Sequence, residues 1–324
     1  MVGMSKYTSS PASQYADAGS FNSNMNHTTT LHLPRILCLH GGGTNASIFR
    51  LQCRVLEKHL RHSFRLVYAE APFPTLNPGP DVTSVFADQG PFKTWLLDHR
   101  ASASWASADV SGAIDTALTL AMAADDANGG MGQWVGLLGF SQGAKIAASV
   151  LYRQQTLPWD TTSFRFAALF AGRGPLVWLA PDMPRPRGLV DAATPFDIQP
   201  ELADILSGTS EEHILSLPTI HVHGLRDPGL DRHRELLEEY CDPLQSALIE
   251  WDGGHRIPIK RRDVEMVVRQ IERISREAAV AAVAPPAASF GDAVFGLDEY
   301  LVPAEKGFSL QEIGLYTEHV YRIS

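Results

Sequence analysis

The chain has only three cysteines in 324 residues, Cys38, Cys53 and Cys241. So few, and in odd number, they exclude a disulfide framework, and their spacing matches no metal-binding motif. Reduced thiols and a cytoplasmic location are the simplest expectation. No apolar run approaches the roughly 20 residues of a membrane span. The polar N-terminus lacks the apolar core of a secretory signal. Basic residues are in deficit, 27 Lys and Arg against 36 Asp and Glu, for a net charge of −9. Apart from a short Lys260-Arg261-Arg262 run they are scattered, which argues against nucleic acid or an anionic membrane surface as a partner.

Large apolar residues are nearly missing from residues 1–31, which read as a disordered leader. The Ala/Pro stretch 278–289 reads as a linker, and residues 290–324 as a tail with scattered apolar residues and no assigned role. Between them, residues 32–277 are expected to fold as one domain. Their apolar content suits a sizeable core, the whole chain being 44% hydrophobic.

Short continuous apolar runs alternate with helical periodicities through this domain. Leu33–His40 reads as a strand buried on both faces, Phe164–Ala171 as another buried strand, and Phe64–Ala69, Trp134–Phe140, Thr219–Gly224 and Ala247–Trp251 as further strands. Helices are expected from about Asn45, over 104–125, after Ser141, over 230–240 and over 259–280. In the first, Ile48, Leu51, Val55, Leu56 and Leu60 are the expected buried face. In the last, it is Val264, Val267, Val268, Ile271 and Ile274. The alternation predicts an α/β fold with a mostly parallel sheet and helices on both faces. Two Pro/Gly-rich stretches, 70–105 and 172–200, are too long for plain connections and suit lids or pocket walls.

The chemistry centres on Gly139-Phe140-Ser141-Gln142-Gly143, a G-x-S-x-G between a predicted strand and a predicted helix. In that context it is a nucleophile elbow, a tight turn that lifts a serine hydroxyl clear of the sheet. A serine needs a base and an orienting acid. In elbow folds of this kind they follow in the order acid, then histidine, at the carboxyl ends of later strands. His255 follows the last predicted strand, after Gly253-Gly254. Asp227 follows the strand before, with Pro228 next. Asp231 and Asp252 are rivals: the first falls in a helix, the second too close to His255. One oxyanion donor would be the backbone N–H of Gln142. The other would be that of Gly42 in His40-Gly41-Gly42-Gly43, with Gly43 as the alternative. His40 reads as structural. His221 and His223 alternate on a strand without a third ligand at suitable spacing, so neither a metal nor a cofactor is expected.

Five segments resemble the fungal serine hydrolase family of small α/β hydrolases, and more narrowly its branch found beside polyketide synthases. They are Leu39-His40-Gly41-Gly42-Gly43-Thr44-Asn45, Gly90-Pro91-Phe92-Lys93-Thr94-Trp95, the elbow, His221-Val222-His223-Gly224-Leu225-Arg226-Asp227-Pro228-Gly229, and Trp251-Asp252-Gly253-Gly254-His255. The resemblance spans residues 35–275. It implies the α/β-hydrolase fold, the triad Ser141, Asp227 and His255, and an intracellular, free-standing thioesterase or esterase. The partner it implies is the acyl carrier domain of a polyketide synthase. The alternatives are a carboxylesterase acting on small acyl esters, an acyltransferase, and a non-catalytic binding protein on the same scaffold. Phe73, Phe86, Phe92, Trp95 and Trp178 are candidates either for an acyl pocket or for core packing.

Overall fold

The computed structural model describes residues 30–79, 82, 85–157, 160, 162–196, 213–283 and 320–321. Seven strands form the central sheet. They are β1 (Arg35–Leu39), β2 (Arg65–Ala69), β5 (Trp134–Phe140), β6 (Phe166–Phe170), β9 (Thr219–Gly224), β10 (Ser246–Trp251) and β11 (Val320–Tyr321). Their order is β11-β10-β9-β6-β5-β1-β2, and every pairing is parallel. Two short pairs stand outside it, β3 (Phe73–Thr75) with β4 (Phe92–Thr94) and β7 (Val177–Trp178) with β8 (Val190–Asp191).

Side chains alternate across a strand, so a strand covered on both faces must be apolar throughout. β1 illustrates this. Leu37 and Leu39 enter one core with Val110, Ile114 and Leu118 of α4 (Ser107–Ala127) and Ala147, Val150 and Leu151 of α5 (Gln142–Thr156). Ile36 and Cys38 enter the opposite core with Phe49 of α1 (Ala46–Gln52) and Leu56 and Leu60 of α2 (Arg54–Leu60). That second core also takes Val264, Val267, Val268, Ile271 and Ile274 of α7 (Arg261–Val283), the whole expected face.

Three expectations need correction. The helix after Asn45 breaks at Cys53 into α1 and α2. Ile48, Leu56 and Leu60 of the expected face are buried, but Phe49 and Cys53 are buried with them and Leu51 lies outside the core at 45% exposure. The cap itself is as expected, since Asn45 Oδ1 accepts the Ile48 N–H at 2.8 Å. The linker does not begin at 278. α7 runs on to Val283, because Ala278–Val283 is mostly good helix former and the first proline after it is Pro285. The leader ends before residue 31, since the Leu31 carbonyl accepts the Met131 N–H at 2.7 Å. In the expected tail, Val320–Tyr321 extends the sheet beside β10. The rest of the leader and tail lies outside the described residues. Among the described residues no helix is long and apolar enough to cross a membrane.

At the far end from the elbow, Asp125 ties the starts of β1 and β2 to the end of α4. Its carboxylate accepts from Arg65 Nη2 at 2.6 Å and Nε at 2.9 Å, and from Arg35 Nη1 at 3.2 Å. All three side chains are buried, at 6–7% exposure. Removing the anion takes the carboxylate from the buried Arg65 guanidinium and one of two carboxylates from that of Arg35. Asp125→Ala is therefore expected to cost ~3–5 kcal/mol, a fall of about 10 °C in a thermal melt. Asp126, also paired with Arg35, is 56% exposed, and Asp126→Ala should cost less than ~1 kcal/mol in the same melt.

Candidate active site

All six long strands point their carboxyl ends to one edge, and the expected residues meet there. β5 ends at the centre of the sheet, and Ser141 follows it with φ 54° and ψ −115°. Positive φ is costly for a non-glycine residue and holds only where the surroundings over-determine it. Here the Ser141 N–H is taken by the Phe170 carbonyl at 2.8 Å, and α5 starts one residue later. Gly143 permits the turn: a Cβ there would lie 2.2 Å from the Leu39 carbonyl oxygen. The elbow is thus wedged against the end of β1.

The loops after β9 and β10 are stitched together. The Leu225 N–H donates to the Trp251 carbonyl at 2.9 Å, and the Arg226 N–H to the Gly253 carbonyl at 2.8 Å. Gly253 is obligatory, because a Cβ would sit 2.0 Å from the Trp251 ring. This pairing sets Asp227 and His255 side by side. His255 Nδ1 lies 2.7 Å from Asp227 Oδ2, and His255 Nε2 lies 3.0 Å from Ser141 Oγ. The tautomer that satisfies both contacts has Nδ1–H donating to the carboxylate and Nε2 accepting from the serine hydroxyl. Asp227 is nearly inaccessible, its side chain 1% exposed. Burial pushes its pKa up, but the Gly229 N–H at 2.8 Å and His255 prevail and hold it below the usual range. It therefore stays ionised. The rival Asp252 is 73% exposed and paired with Arg226, while Asp231 lies in α6 (Leu230–Tyr240).

His233 was not foreseen. It is fully buried on α6, with Nδ1 2.9 Å from the Gly172 carbonyl and Nε2 in contact with Asp227 Oδ2 at 2.9 Å. Its ring stacks on His255 at 6.0 Å between centroids. Burial lowers its pKa, and Asp227 works against that. Its signal in the sequence was slight, one histidine six residues after the aspartate on a charged helix. Ligand atoms of Asp227, His233 and His255 all lie within 4.8 Å, but His255 is already engaged by hydrogen bonds to Asp227 and Ser141. His221 and His223, by contrast, are sunk in β9, where burial brings their pKa values to about 3 and about 2.

The two oxyanion candidates of the glycine loop differ in their hydrogen bonding. The Gly43 N–H is spent on the Lys93 carbonyl at 2.9 Å. Both Gly42 and Gly43 line the same cavity as Ser141 and Gln142. His40 is structural: Nδ1 contacts the Gly41 carbonyl at 2.7 Å and Nε2 accepts the Ala71 N–H at 3.1 Å. The side chain of Gln142 has a further task. Its Oε1 accepts from the Trp95 N–H at 2.6 Å, Thr94 Oγ1 at 2.8 Å and the Leu96 N–H at 3.2 Å. The residue after the nucleophile thereby clamps the 70–105 stretch onto the elbow.

Both Pro/Gly-rich stretches do wall the cavity, and Phe196 of the second is among its walls, but the other aromatics considered are not. Phe73, Trp95 and Trp178 are core residues at 4% exposure or less. None of these three, nor Phe86 or Phe92, lines the cavity. Its walls are Thr75, Asn77, Pro78, Leu96, Val177 and Phe196, among others.

Elbow, histidine, ionised aspartate and backbone donors at the carboxyl edge of a parallel sheet define a serine hydrolase with an α/β-hydrolase fold. Such a site attacks carbonyl carbon through an acyl-enzyme. The chain belongs to the serine hydrolase (FSH1) family, whose model matches residues 28–267. It is 54% identical over 265 residues to esterase dbaE of Emericella nidulans, covering 78% of this chain and 94% of that one. It is 49% identical over 265 residues to esterase pigG of Monascus ruber, covering 78% and 95%. With esterase claE of Penicillium crustosum the identity is 46% over 260 residues, covering 78% and 96%. The protein is an ester-hydrolysing enzyme.

Proposed function

We propose that this hydrolase acts as a free-standing thioesterase that releases a polyketide acyl chain from the carrier domain of a synthase. Ser141 is the nucleophile, His255 the general base and then acid, and Asp227 the orienting acid. The tetrahedral oxyanion is held by the N–H groups of Gly42 and Gln142. His255 takes the serine proton as Oγ attacks the carbonyl and returns it to the departing thiol. It then activates water to free the acid.

The observation that supports the reading is the cavity at the nucleophile. Its volume of about 840 Å³ lies toward the upper end of small-molecule sites and is open to solvent. It offers room for a long acyl chain, with an opening for a tethered arm. Free, buried Cys38, Cys53 and Cys241 are in keeping with a cytoplasmic location. A carboxylesterase acting on small esters would use the same triad.

The test compares an acyl thioester with the matching oxyester, then measures product release from a loaded carrier domain. Faster thioester turnover, with release from the carrier domain, is expected. A strong oxyester preference with no release from the carrier domain would remove the thioesterase reading and leave the carboxylesterase.

A further inference from the structure

The cavity beside Ser141 holds positive charge that the triad does not use. Lys145, Arg173 and Arg232 line it, against Glu235 and Asp227. Asp227 is turned to His255, and Glu235 pairs with Arg232 at 2.8 Å. That leaves Lys145 and Arg173, whose side chains make no hydrogen bond or ion pair within 4 Å of another described residue. Three cations against two carboxylates leave this lining with one positive charge in excess, in a chain whose net charge is −9.

Lys145 is the more informative of the two. It stands one helical turn after Ser141, and its backbone N–H donates to the Ser141 carbonyl at 3.2 Å. Residues four apart share a helix face, and helical side chains lean toward the N-terminus. The amine is therefore carried on the face that holds the nucleophile. Burial lowers its pKa to about 8; Glu235 opposes this, and Arg173 and Arg232 add to it. An ammonium taken partly out of water with no carboxylate in direct contact is unfavourable. An anionic oxygen on the substrate would relieve that cost.

We infer that Lys145 and Arg173 form an anion subsite of the active-site cavity, and that the preferred acyl group carries a second, acidic oxygen function. A carboxylate fits, as does the ionised enol of a 1,3-dicarbonyl. The inference deepens the esterase reading above and rests on it. A phosphate on the leaving-group arm is the other source of the same charge, and the test separates the two.

Hydrolysis of mono-p-nitrophenyl glutarate is compared with that of p-nitrophenyl valerate, esters of similar length that differ in terminal charge. The wild-type protein should show a higher kcat/KM for the anionic ester. Lys145→Met, which keeps the apolar stem, should shrink the anionic-to-neutral ratio at least about tenfold. Arg173→Gln should shrink it less, and because Arg173 is exposed, this variant decides the matter should Lys145→Met fail to fold. An unchanged ratio in a folded Lys145→Met, or in Arg173→Gln if Lys145→Met does not fold, overturns the inference, as does a wild-type preference for the neutral ester. So does discrimination only between phosphopantetheine and pantetheine thioesters of one neutral acyl group, which would assign the cations to the phosphate. Should neither p-nitrophenyl ester be turned over, the same comparison is read with the glutaryl and valeryl thioesters of pantetheine, and equal rates for the two overturn the inference, while the thioesterase reading is tested separately by release from the carrier domain.

Discussion

Replacing Ser141 with alanine is expected to lower kcat for ester hydrolysis about a millionfold, leaving only the residual rate that binding and oxyanion donors supply. The loss follows from the site's composition, in which Ser141 Oγ is the oxygen held by His255 Nε2. Folding should be nearly untouched. The strained φ of 54° is as unfavourable for alanine as for serine, and one part-buried hydrogen bond contributes ~1 kcal/mol. Covalent labelling with a fluorophosphonate, read by intact mass, checks the assignment together with a thermal melt. Label retained by a well-folded Ser141→Ala protein would mean that another residue is the nucleophile.

Asp227→Asn should have the next largest effect, a fall in kcat of about ten-thousandfold with little change in KM. The amide matches the carboxylate in shape but can present N–H₂ to His255 Nδ1. The ring proton is then driven to Nε2, where it faces the Ser141 hydroxyl and no base remains. Burial makes the change decisive, because at 1% exposure water cannot replace the lost acceptor. Fluorophosphonate labelling should slow in proportion. Asp252→Asn serves as the contrast: the residue is 73% exposed, and a surface change of this kind stays within about 0.5 kcal/mol. A larger loss of kcat in Asp252→Asn than in Asp227→Asn would transfer the role of acid to Asp252.

Much of the fold was legible because it is written in local pattern. β1, β5 and β6 read as largely apolar runs because helices cover both sheet faces, and α7 read as a helix because one face alone meets the core. The break at Cys53 was not legible. The spacing of Ile48, Leu51, Val55 and Leu56 fits one helix well, and only packing of Phe49 and Cys53 against the sheet leaves Leu51 out of the core. The end of α7 was misplaced for a related reason, since alanine suits both a helix and a linker until a proline intervenes.

The amino-acid sequence by itself determined the reaction. An elbow serine, an aspartate and a histidine after later strands, and a glycine loop after the first strand are patterns of neighbouring residues, and strand order carries them to one sheet edge. Only the tertiary structure decided which partners the pattern left open. Gly42 was separated from Gly43 by a hydrogen bond to Lys93, 50 residues away. His233 reached Asp227 because α6 folds back over the end of β9. Phe73 and Trp95 turned into the core, and the cavity was left to Phe196, to smaller side chains and to Lys145 and Arg173. These outcomes depend on contacts between residues distant in the chain, where packing and charge in three dimensions override anything that spacing along one dimension encodes.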